Sequence, residues 1–237
     1  MVLVNTRNPL NIGAAARAMS NFGFLHLRVV NPFELAFREA RSAVGAAPVL
    51  AEAEEFKSLA EAVADCSLVV GTSALGRRDP QLFVRNLQQG GRLIRKHLGR
   101  GHVALLFGSE KRGLSNDDLS HCHWLLRVPT REEHRSMNLG QAVAVCLYEL
   151  ARDGESIAAR EKAALATAGD LERLTSLLLG ALRASGYLKP EGDSERKLPS
   201  AATEEKIRRL IRRMSLSVPD AELLLGMVRQ ILWKIKT

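Results

Sequence analysis

"LVNTRNPLNIGAAARAMSNFG", Leu3 to Gly23, carries a short apolar strand across a polar turn into a Gly/Ala-rich helix. Nucleotide-binding α/β folds open this way, yet the G-x-G-x-x-G fingerprint of a dinucleotide site is missing. Asn11 is placed to cap the helix, and Gly13 lets another backbone approach its first turn. On a helical wheel Ile12, Ala15, Ala16 and Met19 form one apolar stripe, while Arg17 projects from the other side with Gly13 and Asn21. From this segment alone, Arg17 reads as an ordinary exposed arginine.

Further along the chain, apolar runs rich in β-formers recur at Leu25–Val30, Ser67–Gly71, His102–Phe107 and Trp124–Val128, following the first at Val2–Asn5. Helical periodicity fills the gaps at about 11–22, 33–44, 55–65, 81–98 and 137–151, the fourth interrupted by Gly90-Gly91. Alternation of this kind predicts an α/β domain, a parallel sheet with helices on both faces, over residues 1–153. Beyond Arg152 no strand-like run remains. Leu/Ala/Arg/Glu-rich segments at about 155–168, 170–186, 203–214 and 219–236 predict a small all-helical domain over 154–237. The Pro/Gly/charge-rich "KPEGDSERKLPS", Lys189 to Ser200, reads as a loop within it. Thr203 is placed to cap the helix "TEEKIRRLIRRM", whose Arg pairs 208–209 and 212–213 lie one turn apart. That stripe is either a solvated face or a phosphate-facing one.

No apolar run approaches the roughly 18 residues that cross a membrane. Met1 leads straight into the first strand and charges follow at once, so no signal peptide is read and a cytoplasmic location is expected. Three dispersed cysteines, Cys66, Cys122 and Cys146, suit reduced thiols better than a disulfide framework. His121-Cys122-His123 lacks a second ligand pair, so it reads as partly buried residues at a strand edge, and no metal is predicted. A formal charge of +8 and a pI near 9.8 point to an anionic partner, with nucleic acid the first candidate. Aromatics at 5% are too few for a base-stacking platform, which leaves basic contacts to a phosphate backbone.

Two later stretches carry chemistry-bearing residues. "VALLFGSEKRGLSNDDL", Val103 to Leu119, runs an apolar strand into Gly108, the carboxylate Glu110, a second glycine Gly113, and a helix that Ser115 or Asn116 starts. Open α/β sheets hold ligands at such carboxyl ends of strands, but no G-K-[ST] follows, so this is not a P-loop. "LLRVPTREEHRSMNLGQAVAVCLYEL", Leu125 to Leu150, stops a strand at Pro129 and enters a helix at Ser136-Met137-Asn138, with Ser136 the simplest cap.

N-x-G-A-A-x-R-A, F-G-x-E-x-x-G-L and V-P-x(6)-S-M-N-L, in this order and each at a strand-to-helix junction, resemble the three motifs of the SpoU branch of the SPOUT superfamily, RNA ribose 2′-O-methyltransferases. "VVNP" at Val29–Pro32, "ADCSLVVGTSA" at Ala64–Ala74 and "LLLGALRASGYLKP" in the tail are similar to its TrmJ-type group. The resemblance implies a C-terminal trefoil knot, a homodimer, S-adenosylmethionine as cofactor and tRNA as substrate, at position 32 of the anticodon loop. It places cofactor contacts on Thr72, Ser73, Ala74, Gly108, Val128, Arg135, Ser136 and Met137. The catalytic arginine falls on Arg17, with Asn11, Glu110, Ser136 and Asn138 in support. Arginine stays protonated at neutral pH, so the role expected of Arg17 is to grip the adjacent phosphate and stabilise alkoxide charge. The competing readings are the same chemistry on rRNA or another tRNA position, a catalytically silent RNA-binding module, and a small-molecule Rossmann enzyme. The last conflicts with the missing glycine fingerprint and the basic tail.

Overall fold

In a computed structural model, the structure describes residues 1–32, 48–73, 82–152, 164–188 and 200–236. Among these, seven strands form one sheet: β1 (Val2–Val4), β2 (Arg28–Val30), β3 (Glu54–Phe56), β4 (Cys66–Thr72), β5 (Val84–Asn86), β6 (His102–Phe107) and β7 (Trp124–Arg127). Their order is β3-β2-β1-β6-β4-β7-β5 and every pairing is parallel. The helices of the first part are α1 (Pro9–Asn21), α2 (Pro48–Ala51), α3 (Leu59–Ala62), α4 (Leu87–Leu98), α5 (Asn116–Ser120) and α6 (Leu139–Ala151). Those of the tail are α7 (Ala168–Ala184), α8 (Ser200–Arg213) and α9 (Val218–Lys236).

The central strands are mostly apolar because both faces of the sheet are covered, and their side chains divide between two cores with a period of two. Leu3, Leu68, Val70, Leu105, Phe107, Trp124 and Leu126 join Ile12, Ala15, Ala16 and Met19 of α1 and Val143, Cys146 and Leu147 of α6. Val2, Val4, Val69, Ala104, Leu106 and Leu125 face the other way, onto Leu59, Ala62 and Val63, and onto Ala168 of the tail. A third cluster, including Leu171, Leu174, Ile211 and Ala221, holds the tail helices together.

Differences from the sequence reading sit at the sheet edges and at the caps. β3 and β5 are three-residue edge strands of sequence EEF and VRN, without the apolar run that marks a buried strand. The helix expected over 55–65 is therefore β3 followed by the single turn α3, started by Ser58, whose Oγ accepts from Glu61 N at 3.3 Å. Similarly, the helix expected from 81 begins at Leu87, where Asn86 Oδ1 accepts from Gln89 N at 2.8 Å. Gly90-Gly91 does not interrupt α4: a Cβ on Gly90 would lie 2.3 Å from Leu126 Cδ1, so glycine here lets the helix settle onto the sheet. Asn8, not Asn11, caps α1. In the tail, α8 starts at Ser200, which puts Thr203 inside the helix rather than at its cap. The helix expected over 33–44 and nearly all of "KPEGDSERKLPS" lie outside the described residues, as does most of the helix expected over 155–168. The described end of that last segment, 164–167, is not helical, and Thr167 caps α7.

His121-Cys122-His123 leads into β7 with His121 and Cys122 buried, and His123 Nδ1 accepts from Val69 N at 3.1 Å. Burial pushes both histidines down to about 3, with repulsion from Arg208 and Arg212 adding to it at His121 and from Arg212 at His123. Both rings are neutral in the folded chain at pH 5, while the unfolded chain takes a proton on each below its ordinary value of about 6.5. The unfolded state binds the extra protons, so this stability is complete above about pH 6.5 and declines as the pH falls toward 3. Chemical unfolding should show about 2 kcal/mol lost per histidine between pH 7 and pH 5, and His121→Gln should remove one share of that drop.

Candidate active site

A cleft of about 1090 Å³ opens at the carboxyl ends of β4, β6 and β7. β4 ends in Thr72-Ser73, where Thr72 Oγ1 donates to Leu106 O at 2.8 Å and Ser73 N to Leu126 O at 3.1 Å, tying the strand ends together. β6 ends at Gly108, and the chain then doubles back so closely that a Cβ there would lie 2.1 Å from Gly113 C and 2.2 Å from Leu114 N. Gly113 closes this turn at φ +67°, a left-handed conformation that glycine adopts without strain. Ser115 then starts α5 with a capping box, each of Ser115 and Asp118 bonding the other's backbone N–H. After β7, the loop folds on itself: Thr130 Oγ1 donates to Arg135 O at 3.2 Å and Arg135 Nε to Glu132 O at 3.2 Å.

Three polar side chains join the loop after β6, the first turn of α1 and the start of α6. Glu110 accepts from Asn8 N at 3.2 Å, Arg7 N at 3.4 Å and Asn11 Nδ2 at 3.2 Å. Burial works to raise its carboxyl, but hydrogen bonds from its own amide, Asn11, Arg7 and Asn8 outweigh this and hold it below the usual carboxylate value. An ionised carboxylate only accepts, so Asn11 turns its Nδ2 to Glu110 and its Oδ1 to Asn138, which donates through Nδ2 at 2.8 Å. That leaves Asn138 Oδ1 for the amides of Gly140 at 2.9 Å and Gln141 at 3.4 Å, so Asn138 caps α6, not Ser136. The charge on Glu110 thus fixes both carboxamides. Glu110→Gln places N–H groups opposite N–H groups and should lower stability by about 1 kcal/mol, a small figure because the site is exposed, measured by thermal unfolding.

Thr72, Ser73, Gly108, Val128, Arg135, Ser136 and Met137 all line this one cleft, together with Asn11, Glu110 and Asn138. Ala74 lies outside the described residues. Arg17 does not line the cleft. It sits on the exposed side of α1, about 9 Å beyond Asn11 along the axis and on a different face. Among the described residues of its own chain no other backbone approaches Gly13, where a Cβ would meet nothing within 4 Å, and the close approach to α1 is made by Gly140, whose Cβ would lie 2.6 Å from Ala14 Cβ. The sequence reading missed one wall of the cleft, formed by Ala202, Glu205, Lys206 and Arg209 of α8. The basic periodicity of α8 was its only signal. Three arginines of the expected stripe make bonds within the protein. Arg208 holds Glu172, Asp117 and Ser120, Arg209 holds Glu205, and Arg212 holds Glu172. The three cysteines are free, buried thiols that burial pushes up to about 12, which rules them out as nucleophiles near neutral pH.

The profile of a family described as "SpoU rRNA Methylase family" matches residues 1–148, the part that builds the sheet, the three junctions and all of the cleft but its α8 wall. The chain belongs to the SpoU methylase family. Over 237 residues it is 33% identical to the tRNA (cytidine/uridine-2′-O-)-methyltransferase TrmJ of Sodalis glossinidius (strain morsitans), covering 98% of this chain and 90% of that relative. It superposes on the crystal structure of TrmJ from Z. mobilis ZM4 with a TM-score of 0.81 and 32% identity, over 97% of each chain. A structure described as giving insights into "the 2-OH methylation of C/U34 on tRNA" matches with a TM-score of 0.50 and 29% identity over 64% of this chain and 92% of that one. The expected fold class, a parallel α/β sheet covered on both faces with a helical tail, is the one observed.

Proposed function

We propose that this SpoU methylase transfers a methyl group from S-adenosylmethionine to a ribose 2′-OH of tRNA. The observation that carries the proposal is that one cleft gathers the loops after β4, β6 and β7, with the Glu110–Asn11–Asn138 network at its side. The loops fit the cofactor: the cleft has room for a nucleoside-sized ligand, and the Gly108 turn, too tight for any side chain, sets bare main chain at its floor. Thr72, Ser73, Gly108, Val128, Arg135, Ser136 and Met137 would hold it, with Ala74 assigned by the motif alone. When bound, it supplies a methyl group on a sulfonium centre.

The work of the chain is then alignment and charge control. Asn138, fixed by Asn11 and Glu110, and its neighbour Ser136 hold the ribose edge at the cleft. Lys111 and Arg112, which line the same cleft, attract the RNA backbone. Arg17 grips a phosphate through its guanidinium fork and stabilises the 2′-oxygen as its proton leaves. Because Arg17 stands off the cleft of its own chain, we assign it to the cleft of a partner in a homodimer. The same side of α1 carries Leu10, 80% exposed, and the adjoining α6 carries Tyr148, 56% exposed, an apolar surface suited to self-association. Residues 1–153 form the methyltransferase unit, threaded as a trefoil knot, and 154–237 an RNA-contacting helical unit of a cytoplasmic enzyme. No helix among the described residues is long and apolar enough to cross a membrane.

Position 32 of the anticodon loop is the proposed target. The description of the family names rRNA and one structural neighbour concerns position 34, so the deciding experiment maps the modified ribose. The protein is incubated with labelled S-adenosylmethionine and undermodified tRNA or rRNA, and the methylated nucleotide is located. Label at position 32 is the expected result. Label at position 34 or in rRNA would move the target, and no label in any RNA would overturn the activity.

A further inference from the structure

A second cavity, of about 440 Å³, lies at the opposite end of the sheet. Ser67 and Leu68 at the start of β4 and His123 and Trp124 at the start of β7 form its roof, α4 one wall and the tail the other. Leu68 and Ser73 are five residues apart on one extended segment, so this cavity is about 17 Å from the methyl-transfer cleft. Among the described residues, its lining includes Arg85, Lys96, Arg100, Arg212 and Arg213 and no carboxylate.

We propose that this cavity is a phosphate-binding site. Arg212 carries the argument. Its side chain is 1% exposed, yet Nε and Nη1 have no hydrogen-bond partner among the described residues. Only Nη2 is engaged, with Glu172 at 3.3 Å, and Glu172 also serves Arg208 at 3.2 Å. Glu172 is thus shared by two guanidinium groups, of which Arg208 also has Asp117 at 3.3 Å, and two nitrogens of the buried Arg212 remain without a partner among the described residues. Burial pulls Arg212 below its ordinary value, although Glu172 pulls the other way. Such a charge is costly unless an anion completes it.

Phosphate fits the donor set. Nε and Nη1 of Arg212 each offer an N–H to an anion oxygen, and a phosphate, with several oxygens around one centre, suits several converging cations. Arg85 is stacked on the Trp124 ring, 5.7 Å from its centroid, and its buried Nε is also unpartnered among the described residues. His123 accepts through Nδ1 and is neutral, so its proton is on Nε2, which adds a donor to the lining. Phe83, 68% exposed, flanks the cavity and offers a face on which a base attached to the phosphate could stack. A phosphate of an RNA chain and a free phosphate present the same chemistry here. The site is independent of the reading of the methyl-transfer cleft.

The chain has two tryptophans, so Trp233→Phe leaves Trp124 as a reporter inside the cavity. Full-length protein carrying that change is titrated by fluorescence with inorganic phosphate, with short single-stranded RNA and with acetate. The expected result is a saturable change with phosphate, RNA or both, weakened at least about tenfold by Arg212→Met. Response to phosphate alone identifies a small-molecule site, and response to RNA identifies a backbone contact. Should Arg212→Met fail to fold, the paired rim changes Lys96→Gln and Arg100→Gln decide, with the same loss expected. No saturable response to phosphate or RNA, equal response to acetate, or a response that survives the variants would overturn the proposal.

Discussion

Gly108→Ala should raise the dissociation constant for S-adenosylmethionine more than a hundredfold and lower stability by about 3 kcal/mol. The added methyl would lie 2.1 to 2.4 Å from main-chain atoms of Gly113 and Leu114, and main chain cannot swing aside as the end of a long side chain can. Nor is the opposing segment free to retreat. Gly113 N donates to Ser109 O at 2.8 Å, Leu114 is packed in the second core, and Ser115 begins the capped helix α5. Relief therefore comes only by opening the turn that shapes the floor of the cleft. Calorimetric binding and thermal unfolding measure the two effects. Gly226→Ala is the control: its Cβ would meet nothing within 4 Å in α9, so a helix-favouring gain of about 0.5–1 kcal/mol is expected there. Normal cofactor affinity in Gly108→Ala would remove this turn from the binding site.

The site was legible where local sequence determines geometry. An apolar strand running into glycine, or into Val-Pro, fixes where a loop leaves a parallel sheet, and parallel pairing of β4, β6 and β7 brings such loops to one end. Thr72, Gly108 and Val128 met for that reason. Ile12, Ala15, Ala16 and Met19 were legible as a buried stripe because helical period and burial coincide, and all four are fully buried. Edge strands were not legible. β3 and β5 are held by backbone hydrogen bonds to a single neighbour, and their charged side chains carry no burial signal. Caps were misplaced by a few residues because Asn8 and Asn11, or Ser136 and Asn138, are chemically equivalent candidates. Only the carboxylate of Glu110, about a hundred positions from Asn11 in the chain, decides which asparagine is free to cap. The cationic cavity was hidden for a similar reason. The Arg pairs of α8 were legible as a candidate phosphate-facing stripe, but which of them is buried beside a shared carboxylate depends on the fold.

That long-range dependence also governs Arg17. Arg17→Ala should reduce turnover on the order of a thousandfold while leaving S-adenosylmethionine affinity unchanged, because the guanidinium is outside the cleft of its own chain. Arg17→Lys keeps the charge but loses the planar fork, so near-normal turnover in that variant would end the bidentate phosphate role. Subunit mixing tests the assignment across a dimer. Arg17→Ala leaves the cleft of its chain complete, and Asn138→Ala leaves its Arg17 intact, so a mixed dimer has one site in which all parts are sound. In a random mixture half of the dimers are mixed and each has one intact site of two, giving one quarter of the wild-type rate from two nearly inactive parents. If Arg17 instead served the cleft of its own chain, every site in the mixture would lack one group or the other, and mixing would restore nothing.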